Sequence, residues 1–582
     1  MNFLFLSIDA LRADRTGLHE YGRPTTPNLD RLAAAGVYSP HHTATAAFTQ
    51  PSLPSMLTSS MPLSYGGYDK GVFNRPPTVF ETLGNAGYET SLLSTFPWVN
   101  RFFGYEAGIS TEHLLFVINA LVGAVSQTIA STLKAYEQKI VSREEMLQSV
   151  EPVIQKLFDD LTSYCEVRLD QRDIDRTDLA NERLVRDGYD YAKIKRIIAD
   201  HRRRLTDDPA AYVHNCVGFA PNAHNWISRD WRAARSPGAL VRYLSARLTA
   251  TILMPVAPSW SRLLEYRSKR YVDAHALADR LIRVIDARDA GKPFFIWTHF
   301  FDTHVPYCPG RGPDWRRNSA RHLRALGYDE GTDLGIAAKK RPESAGDWEA
   351  WSALYDAAVH YVDQEIGRIV DALESRKLLD DTVIVITSDH GEELGEHGDV
   401  SHHFRMYDHN IKVPLVIRGP GVAPGTLGGL TTIMDIAPTV ADLAGVDAAP
   451  GWEGTSVFSD TVKQRTHTIA EAFHGGNCLF DHRPPYIAVR TPERKYLWKE
   501  YRDGNDRFSA EDNELYDLTA DPLEQNNIYD PDSSDVVRFN EIVAARLAGI
   551  PEISVERIER SLGQAGAAAV RRIRGERLRA GG

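Results

Sequence analysis

A carboxylate and an imidazole stand side by side at Asp389 and His390, directly after an apolar run of the sequence. At the end of a buried strand both side chains can reach one divalent cation, because carboxylate oxygens and imidazole nitrogens are common metal ligands. Three more histidines follow closely, at His397, His402 and His403. A strand-end turn with polar caps is the alternative for the pair alone. The density of ionisable groups favours a functional site.

Another carboxylate, Asp9, follows the apolar run at the start of the chain. Placing an ionised carboxylate beside a buried strand costs free energy unless the group is paired or binds a cation. Two interpretations of Asp9 therefore stay open: it is a metal ligand, or it forms a structural ion pair with the nearby Arg12.

The segment TQPSL at residues 49–53 has the pattern of a helix start, because proline is tolerated in the first turn of a helix. Thr49 then lies at or just before the helix N-terminus, where free N–H groups and the positive end of the helix dipole attract an anion. In one interpretation Thr49 only caps the helix. In the other, a bound cation makes its hydroxyl acidic enough to act as a nucleophile.

Buried strands that alternate with amphipathic helices must position these residues. Apolar runs predict strands at 3–8, 293–300, 383–388 and 413–417, and charged-faced periodic stretches predict helices at 27–35 and 352–379. This alternation indicates an α/β fold with a mostly parallel sheet, in which ligands gather at the carboxyl ends of the strands. Asp302 and His304 follow the second run, just as Asp9 and Asp389 follow the first and third.

The chain is long enough for a catalytic domain with additions. We expect the catalytic domain at residues 1–103 and 268–421, a helical insertion at 104–267, a smaller C-terminal subdomain at 422–554 and a basic helical tail at 555–582. The insertion contains an apolar run at 114–125, which is short for a membrane-spanning helix. We interpret that run as a buried helix, with an interfacial or membrane-touching helix and a spanning segment as the alternatives.

Charge and cysteine content exclude some function classes. The net charge of −11 gives no support to nucleic-acid binding, since a polyanion would be repelled. The 4 cysteines are far apart and form no CxxC pair, so they are expected to be free thiols. The start of the sequence lacks the pattern of a secretion signal, and Asp9 follows almost at once. We therefore predict a cytoplasmic protein, unless the start codon is wrongly assigned.

The chain resembles the sulfatase branch of the alkaline-phosphatase superfamily. The motifs that carry the resemblance occur in the family's order and span nearly the whole chain outside the expected insertion. They are DALRAD at 9–14, TTPNLD at 25–30, TQPSLPSMLT at 49–58, DTHVPY at 302–307, TSDHGEELGEHG at 387–398, VPL at 413–415, DIAPT at 435–439, ELYDL at 514–518 and DP at 521–522. The resemblance implies an alkaline-phosphatase-like sandwich with a mostly parallel central sheet.

The resemblance also implies a metal centre. Asp9, Asp389 and His390 would hold one divalent ion together with the oxygen of Thr49. Such a set of ligands favours manganese or zinc, and calcium or magnesium stay open because oxygen ligands dominate.

The same resemblance implies catalytic roles for four side chains. Thr49 occupies the position of the nucleophile. His304 matches the family histidine that contacts the transferred group or protonates the leaving oxygen. His402 lies where many members carry a lysine or histidine that neutralises the anion, and His403 fits that position almost equally well.

Three departures from the family pattern decide which chemistry to expect. Sulfatases carry C-x-P-S-R or S-x-P-S-R here, and their Cys or Ser is oxidised to formylglycine. Thr49 cannot become that aldehyde, because its side-chain carbon carries a methyl group. Leu53 replaces the arginine, and Ala10 stands where many sulfatases have a second aspartate ligand. Thr nucleophiles resemble those of the family's phosphodiesterases and phosphotransferases.

We therefore expect a metal-dependent hydrolase that cleaves phosphate mono- or diesters through a Thr nucleophile. One alternative is a sulfuric ester hydrolase that works without formylglycine. Another is a phosphoryl-group transferase acting on a lipid or glycan, in which the insertion docks the acceptor or touches a membrane. The expected partner is a small-molecule, glycan or lipid ester, with no nucleic acid, and the oligomeric state stays open.

Overall fold

The computed structural model covers the elements that surround the predicted site. It describes residues 1–67, 71–139, 141–170, 189–217, 272–305, 344–402, 405–473, 485–500 and 513–550, with isolated positions between 226 and 252, at 307 and at 342. His403, two of the cysteines (Cys308 and Cys478), much of the expected insertion and the expected tail at 555–582 lie outside the described residues.

Within the described ranges, the strands fall into one large sheet and three smaller ones. In chain order they are β1 (Asn2–Ile8), β2 (Val37–Tyr38), β3 (His42–Thr43), β4 (Glu89–Ser94), β5 (Thr111–Leu114), β6 (Phe294–Phe300), β7 (Thr382–Ser388), β8 (Glu393–Leu394), β9 (Val400–Ser401), β10 (Leu415–Arg418), β11 (Gly425–Thr426), β12 (Thr431–Thr432), β13 (Thr468–Phe473), β14 (Pro485–Arg490), β15 (Arg494–Lys499) and β16 (Glu514–Asp517).

The large sheet has 8 strands in the order β11-β2-β10-β7-β1-β6-β4-β5. Its centre is parallel: β1 pairs with β6 on one side and with β7 on the other, so that Ile8 lies opposite both Phe300 and Ser388. Every residue of β6 and β7 is buried, as expected for strands covered on both faces. The predicted α/β fold with a mostly parallel sheet is confirmed. The strand predicted at 413–417 is β10, which runs antiparallel to β7.

Helices cover both faces of this sheet. They are α1 (Pro27–Ala34), α2 (Thr49–Thr58), α3 (Val79–Asn85), α4 (Ile118–Glu137), α5 (Arg143–Asp170), α6 (Tyr191–Asp207), α7 (Pro209–Tyr212), α8 (Ala274–Ala287), α9 (Ala345–Ser375), α10 (Asp408–Ile411), α11 (Ile436–Ala444), α12 (Asp460–Lys463) and α13 (Ser534–Ala548). The helix predicted at 352–379 begins earlier, because Ser344 and Asp347 form a capping box at its start.

The helices of the expected insertion pack into the core of the protein. Phe5 of β1, Val122 of α4 and Phe158 of α5 belong to one continuous cluster of buried apolar side chains. The apolar run at 114–125 is mostly buried, but it is helical only from Ile118, because Leu114 is the last residue of β5. The predicted buried helix is therefore confirmed for residues 118–125. Among the helices in the described ranges, none has the length and apolar character needed to span a bilayer. Contact between the insertion and a membrane stays a prediction.

A separate antiparallel sheet of 4 strands, β13-β14-β15-β16, follows in the C-terminal part of the chain. Helix α13 packs on it through a second apolar cluster that includes Trp498 of β15 and Phe539 of α13. This sheet and helix lie in the region expected to form a smaller C-terminal subdomain. The boundaries given for the domains stay a prediction.

Candidate active site

The carboxyl ends of three adjacent parallel strands build the predicted site. Strand β1 ends at Ile8 and β7 ends at Ser388, so Asp9 and Asp389 leave the sheet side by side. The next residue, Ala10, has a φ of 53°, a left-handed conformation that is uncommon for residues other than glycine. Its N–H donates to Asp389 Oδ1 at 3.2 Å. The strained turn therefore helps to orient one predicted ligand.

Four predicted side chains converge at this edge of the sheet. Thr49 Oγ1 lies 3.1 Å from His390 Nε2 and donates to Asp9 Oδ2 at 3.4 Å. His390 Nε2 lies 3.6 Å from Asp9 Oδ1 and 3.4 Å from Asp389 Oδ2. The carboxylates and the imidazole are fully buried, and Thr49 is 5% exposed. The sequence separates these groups by up to 381 positions, yet their polar atoms meet at the same edge of the sheet.

Helix α2 begins at Thr49, at the position predicted from the proline pattern. Phe48 is the N-cap residue, and its side chain makes no capping bond. The side chain of Phe48 therefore does not occupy the first N–H groups of the helix, which lie beside the Thr49 hydroxyl. Such a helix start can bind the oxygens of an anionic ester.

The electrostatics of the site favour a bound cation. Burial raises the pKa of Asp9 to about 6, and burial together with the negative charge of Asp9 raises the pKa of Asp389 to about 8. Asp9 Oδ1 and Asp389 Oδ2 are buried and have no hydrogen-bond partner among the described residues. Burial also lowers the pKa of His390 to about 3, so its imidazole is neutral. Two buried carboxylates and a neutral imidazole fit a divalent cation well.

His299 belongs to this group and was missed in the sequence. Its Nε2 lies 3.2 Å from Asp9 Oδ2 and 3.8 Å from Asp389 Oδ2, and ligand atoms of these three residues lie within 4.8 Å of one another. Ser7 Oγ lies 2.8 Å from its Nδ1 and accepts a hydrogen bond from Trp297 Nε1. A lone histidine in the run FFIWTHF resembles a core residue. Its place near the carboxyl end of the strand predicted at 293–300 is the one feature of the sequence that could have marked His299 as a site residue.

The histidines assigned to catalysis lie beside the metal-ligand group. The ring of His402 lies 4.2 Å from that of His390 and 4.8 Å from that of His304, measured between ring centres. His304 stacks on Phe301, and its Nδ1 lies 2.5 Å from the carbonyl oxygen of Val305. Since a carbonyl only accepts, Nδ1 carries a proton and Nε2 is left for other contacts.

His402 is held by a buried carboxylate. Its Nδ1 lies 3.1 Å from Glu392 Oε1, and Glu392 is fully buried. Burial raises the pKa of Glu392 well above its usual range. His403, the alternative for the same role, lies outside the described residues, so the choice between the two histidines stays a prediction.

Arg12 makes its ion pairs away from Asp9. Its Nη2 lies 2.7 Å from Asp14 Oδ2 and its Nη1 lies 2.6 Å from Glu396 Oε1. The guanidinium thus joins the loop after β1 to the hairpin β8–β9. The structural ion pair considered for Asp9 is replaced by these two pairs, which leaves Asp9 directed into the site.

The fold is that of alkaline-phosphatase-like hydrolases. The phosphonate monoester hydrolase of Agrobacterium radiobacter superposes with a TM-score of 0.52 at 18% identity, covering 94% of this chain and 95% of that chain. The phosphonate monoester hydrolase of Silicibacter pomeroyi superposes with a TM-score of 0.51 at 16% identity, covering 95% and 97% of the two chains. These similarities establish a shared fold.

A model of the sulfatase family matches residues 1–122 and 215–446, and a model of the C-terminal part of N-sulphoglucosamine sulphohydrolase matches residues 395–547. The chain therefore belongs to the sulfatase family of hydrolases. An arylsulfatase of Clostridium perfringens is 23% identical over 90% of both chains. A choline-sulfatase of Rhizobium meliloti is 33% identical over 183 residues, which cover 30% of this chain and only 32% of the choline-sulfatase.

Proposed function

We propose that this protein cleaves phosphate mono- or diesters with Thr49 as the nucleophile. The observation that carries the proposal is the position of the Thr49 hydroxyl, at a helix start and 3.1 Å from His390 Nε2. A buried hydroxyl in such a place has an anion-binding helix end on one side and buried carboxylates on the other. The residues around it can both hold a phosphoryl group and accept a proton.

Asp9, Asp389 and His390 would hold the metal ion together with the Thr49 oxygen, and the orphaned carboxylate oxygens of the site support this assignment. When bound, a divalent cation supplies acidity to the Thr49 hydroxyl and neutralises charge on the transferring group. Manganese and zinc suit the mixed oxygen and nitrogen donors, and calcium and magnesium are the alternatives. His299 Nε2 is close enough to join the set or to hydrogen-bond to Asp9.

The reaction that these residues support is an in-line displacement at phosphorus. Thr49 Oγ1 forms a bond to phosphorus while the bond to the leaving oxygen breaks. Asp9 Oδ2, which accepts the hydrogen bond of the hydroxyl, is the acceptor for its proton. His304, when it is protonated on Nε2 as well as on Nδ1, gives the Nε2 proton to the leaving oxygen, and His402 balances negative charge on the transferred group. Water then attacks phosphorus and gives a proton to His304 while the bond to Thr49 Oγ1 breaks. Asp9 returns its proton to Thr49 Oγ1, and phosphate or a phosphomonoester is released.

Two alternative functions differ from this proposal in the substrate or in the acceptor of the transferred group. The arylsulfatase and choline-sulfatase relatives, by their names, act on sulfate esters, which favours a sulfate-ester hydrolase without formylglycine. An acceptor alcohol in place of water would make the protein a phosphoryl-group transferase for a lipid or glycan. We prefer phosphate because the methyl group of Thr49 prevents formation of the formylglycine aldehyde. The cytoplasmic location and the absence of a nucleic-acid partner are also proposals.

A substrate panel separates these alternatives. The purified protein is loaded in turn with manganese, zinc, calcium or magnesium and assayed on aryl phosphates, aryl phosphodiesters and aryl sulfates. We expect turnover of one or both phosphate classes to exceed that of the sulfates. Sulfate turnover far above both phosphates would reverse the preference, and product formation that requires an added alcohol would identify a transferase.

Thr49→Val tests the nucleophile without changing the shape of the side chain. Turnover should fall by more than about 10³-fold, because the attacking oxygen is lost. Metal should still bind, since Asp9, Asp389 and His390 remain. Thr58→Val at the other end of α2 is the matched control, because Thr58 is also buried and, among the described residues, its hydroxyl bonds to Pro54 and Ser60. Near-normal turnover by Thr49→Val would exclude Thr49 as nucleophile.

A further inference from the structure

A second group of metal-competent side chains lies apart from the candidate active site. Glu393 is in β8, His397 is in the turn of the hairpin β8–β9, and His409 is in helix α10. Ligand atoms of these three residues lie within 4.8 Å of one another. The neighbouring residue Glu392 contacts His402 of the candidate active site instead. Glu392 thus belongs to the candidate active site, whereas Glu393 belongs to the second group of side chains.

The hydrogen bonds of His397 leave one of its nitrogens as a free acceptor. Its Nε2 lies 2.9 Å from the carbonyl oxygen of Glu524, and since a carbonyl only accepts, Nε2 carries the proton. Nδ1 then holds a lone pair, and this atom is buried with no hydrogen-bond partner among the described residues. The ring stacks on Tyr407 at 3.7 Å with an angle of 3° between the planes. The lone pair is thus held in a fixed direction.

His409 contributes a second unsatisfied nitrogen beside this lone pair, and Glu393 contributes a carboxylate oxygen. His409 Nε2 is buried without a hydrogen-bond partner in the described structure and lies 3.9 Å from Glu393 Oε2, too far for a hydrogen bond. Glu393 Oε1 accepts from the backbone N–H groups of His397 and Asp399. Its second oxygen is left for the histidines. His409 is 9% exposed and Glu393 only 2% exposed.

The surroundings resemble those of a metal ligand set. A histidine that binds a metal through one nitrogen commonly donates its other N–H to a carbonyl or carboxylate, as His397 does to Glu524. Leaving two buried imidazole nitrogens without partners would otherwise cost free energy.

We propose that Glu393, His397 and His409 bind a second divalent cation, with zinc as the preferred ion. One carboxylate oxygen and two imidazole nitrogens are a donor set that zinc accepts, with a water molecule in the fourth position. The ion would join hairpin β8–β9 to helix α10, and through His397 to the segment around Glu524. Strand β9 leads directly to His402, so this clamp would hold that histidine in position. The proposal is independent of the substrate assigned to Thr49.

Metal content tests this site without an activity assay. The protein is stripped with a chelator, reloaded with zinc, dialysed and analysed for zinc per chain. Wild type should hold two zinc ions. A double variant, Asp9→Asn with Asp389→Asn, should keep one ion per chain. Adding Glu393→Gln or His409→Gln to that double variant should remove the remaining ion. Glu374→Gln, a change at an exposed carboxylate of α9, is the control and should keep it.

The retained ion also has a spectroscopic signature. X-ray absorption of the zinc-loaded Asp9→Asn/Asp389→Asn variant should show the scattering of two imidazole ligands. The proposal is overturned if this variant holds no zinc, because its second site would be intact. It is also overturned if Glu393→Gln and His409→Gln both leave the zinc content and the spectrum unchanged.

Discussion

The side chains of Asp9, Asp389 and His390 are completely buried, and the hydroxyl of Thr49 and the imidazole of His299 lie directly beside them. Two carboxylates at this depth repel each other and lose their hydration, which is why their pKa values rise. A cation relieves both effects at once. The arrangement of individual atoms therefore indicates a metal-dependent site more directly than any single residue type.

If His304 protonates the leaving oxygen, replacing it with Gln should reduce turnover most for esters with a basic leaving group. An alkyl phosphate leaves as a strongly basic oxygen that needs a proton, so its turnover should fall about 10²- to 10⁴-fold. A nitrophenyl phosphate leaves as a weak base and should be affected far less. The measurement is kcat/KM for a series of esters with different leaving-group pKa values. His214→Gln, at an exposed histidine, is the control, and an equal loss on every ester would exclude proton donation by His304.

Removing the metal should make stability fall as the pH rises. In the metal-free protein Asp9 and Asp389 have pKa values raised above those of the unfolded chain, so the folded state binds more protons. Their contribution is then present below about pH 4 and is lost towards about pH 8. Melting curves with chelator between pH 5 and 8.5 should show this loss, and added metal should reverse it. Asp389→Asn should weaken the dependence; an unchanged dependence in that variant would contradict the assignment.

Among the structural elements, the loop after β7 passes very close to helix α10. Gly391 donates to the carbonyl of Asn410 at 2.7 Å, and a Cβ at residue 391 would lie 2.0 Å from the carbonyl oxygen of His409. The loop needs glycine for close approach rather than for a left-handed turn. This contact holds the segment that begins with Asp389 and His390 against α10.

Gly391→Ala should therefore destabilise the protein by at least about 2 kcal/mol, because backbone atoms must move apart. It should also reduce turnover, since the shift affects the segment that carries His390. Urea unfolding and the ester assay give the two values. Gly428→Ala is the control, as a Cβ there meets no atom within 4 Å. Equal stability of the two variants would show that the loop can relax without cost.

At the scale of the whole molecule, the C-terminal sheet supports the helix that carries Thr49. Glu471 of β13 accepts from the backbone N–H of Leu63, which lies shortly after α2, at 2.8 Å. Arg546 of α13 pairs with Glu471 at 2.5 Å and also donates to Ser64 at 3.0 Å. The segment after α2 is thus fixed by two elements that lie more than 400 positions further along the chain.

Arg546→Met should cost about 3 kcal/mol or more, because it leaves the carboxylate of Glu471 buried and unpaired. Arg538→Met on the same helix is a matched control. Its pair with Asp535 is solvent-exposed, and its loss should change stability by less than about 1 kcal/mol. Chemical denaturation of both variants gives the comparison. Similar values for the two would mean that the C-terminal elements contribute little to holding the segment after α2.

The sequence by itself determined the strands that end at Asp9 and Asp389 and the helix that begins at Thr49. These features depend on local patterns, namely apolar runs and a proline in the first turn, and the parallel arrangement follows from their alternation with helices. The direction of β10 could not be read in the same way, because a short apolar run is compatible with either orientation.

Only the tertiary structure decided which distant groups meet. The sequence of β6 suggests that His299 is a core residue, and only the pairing of β6 with β1 shows that it lies beside Asp9. Arg12 forms ion pairs with Asp14 and Glu396 rather than with Asp9. The grouping of Glu393, His397 and His409 likewise depends on a hairpin packing against a helix. The physical reason is the same in each case: local patterns report which side chains face the core, whereas contacts within hydrogen-bond or ligand distance are set by the packing of elements remote in sequence.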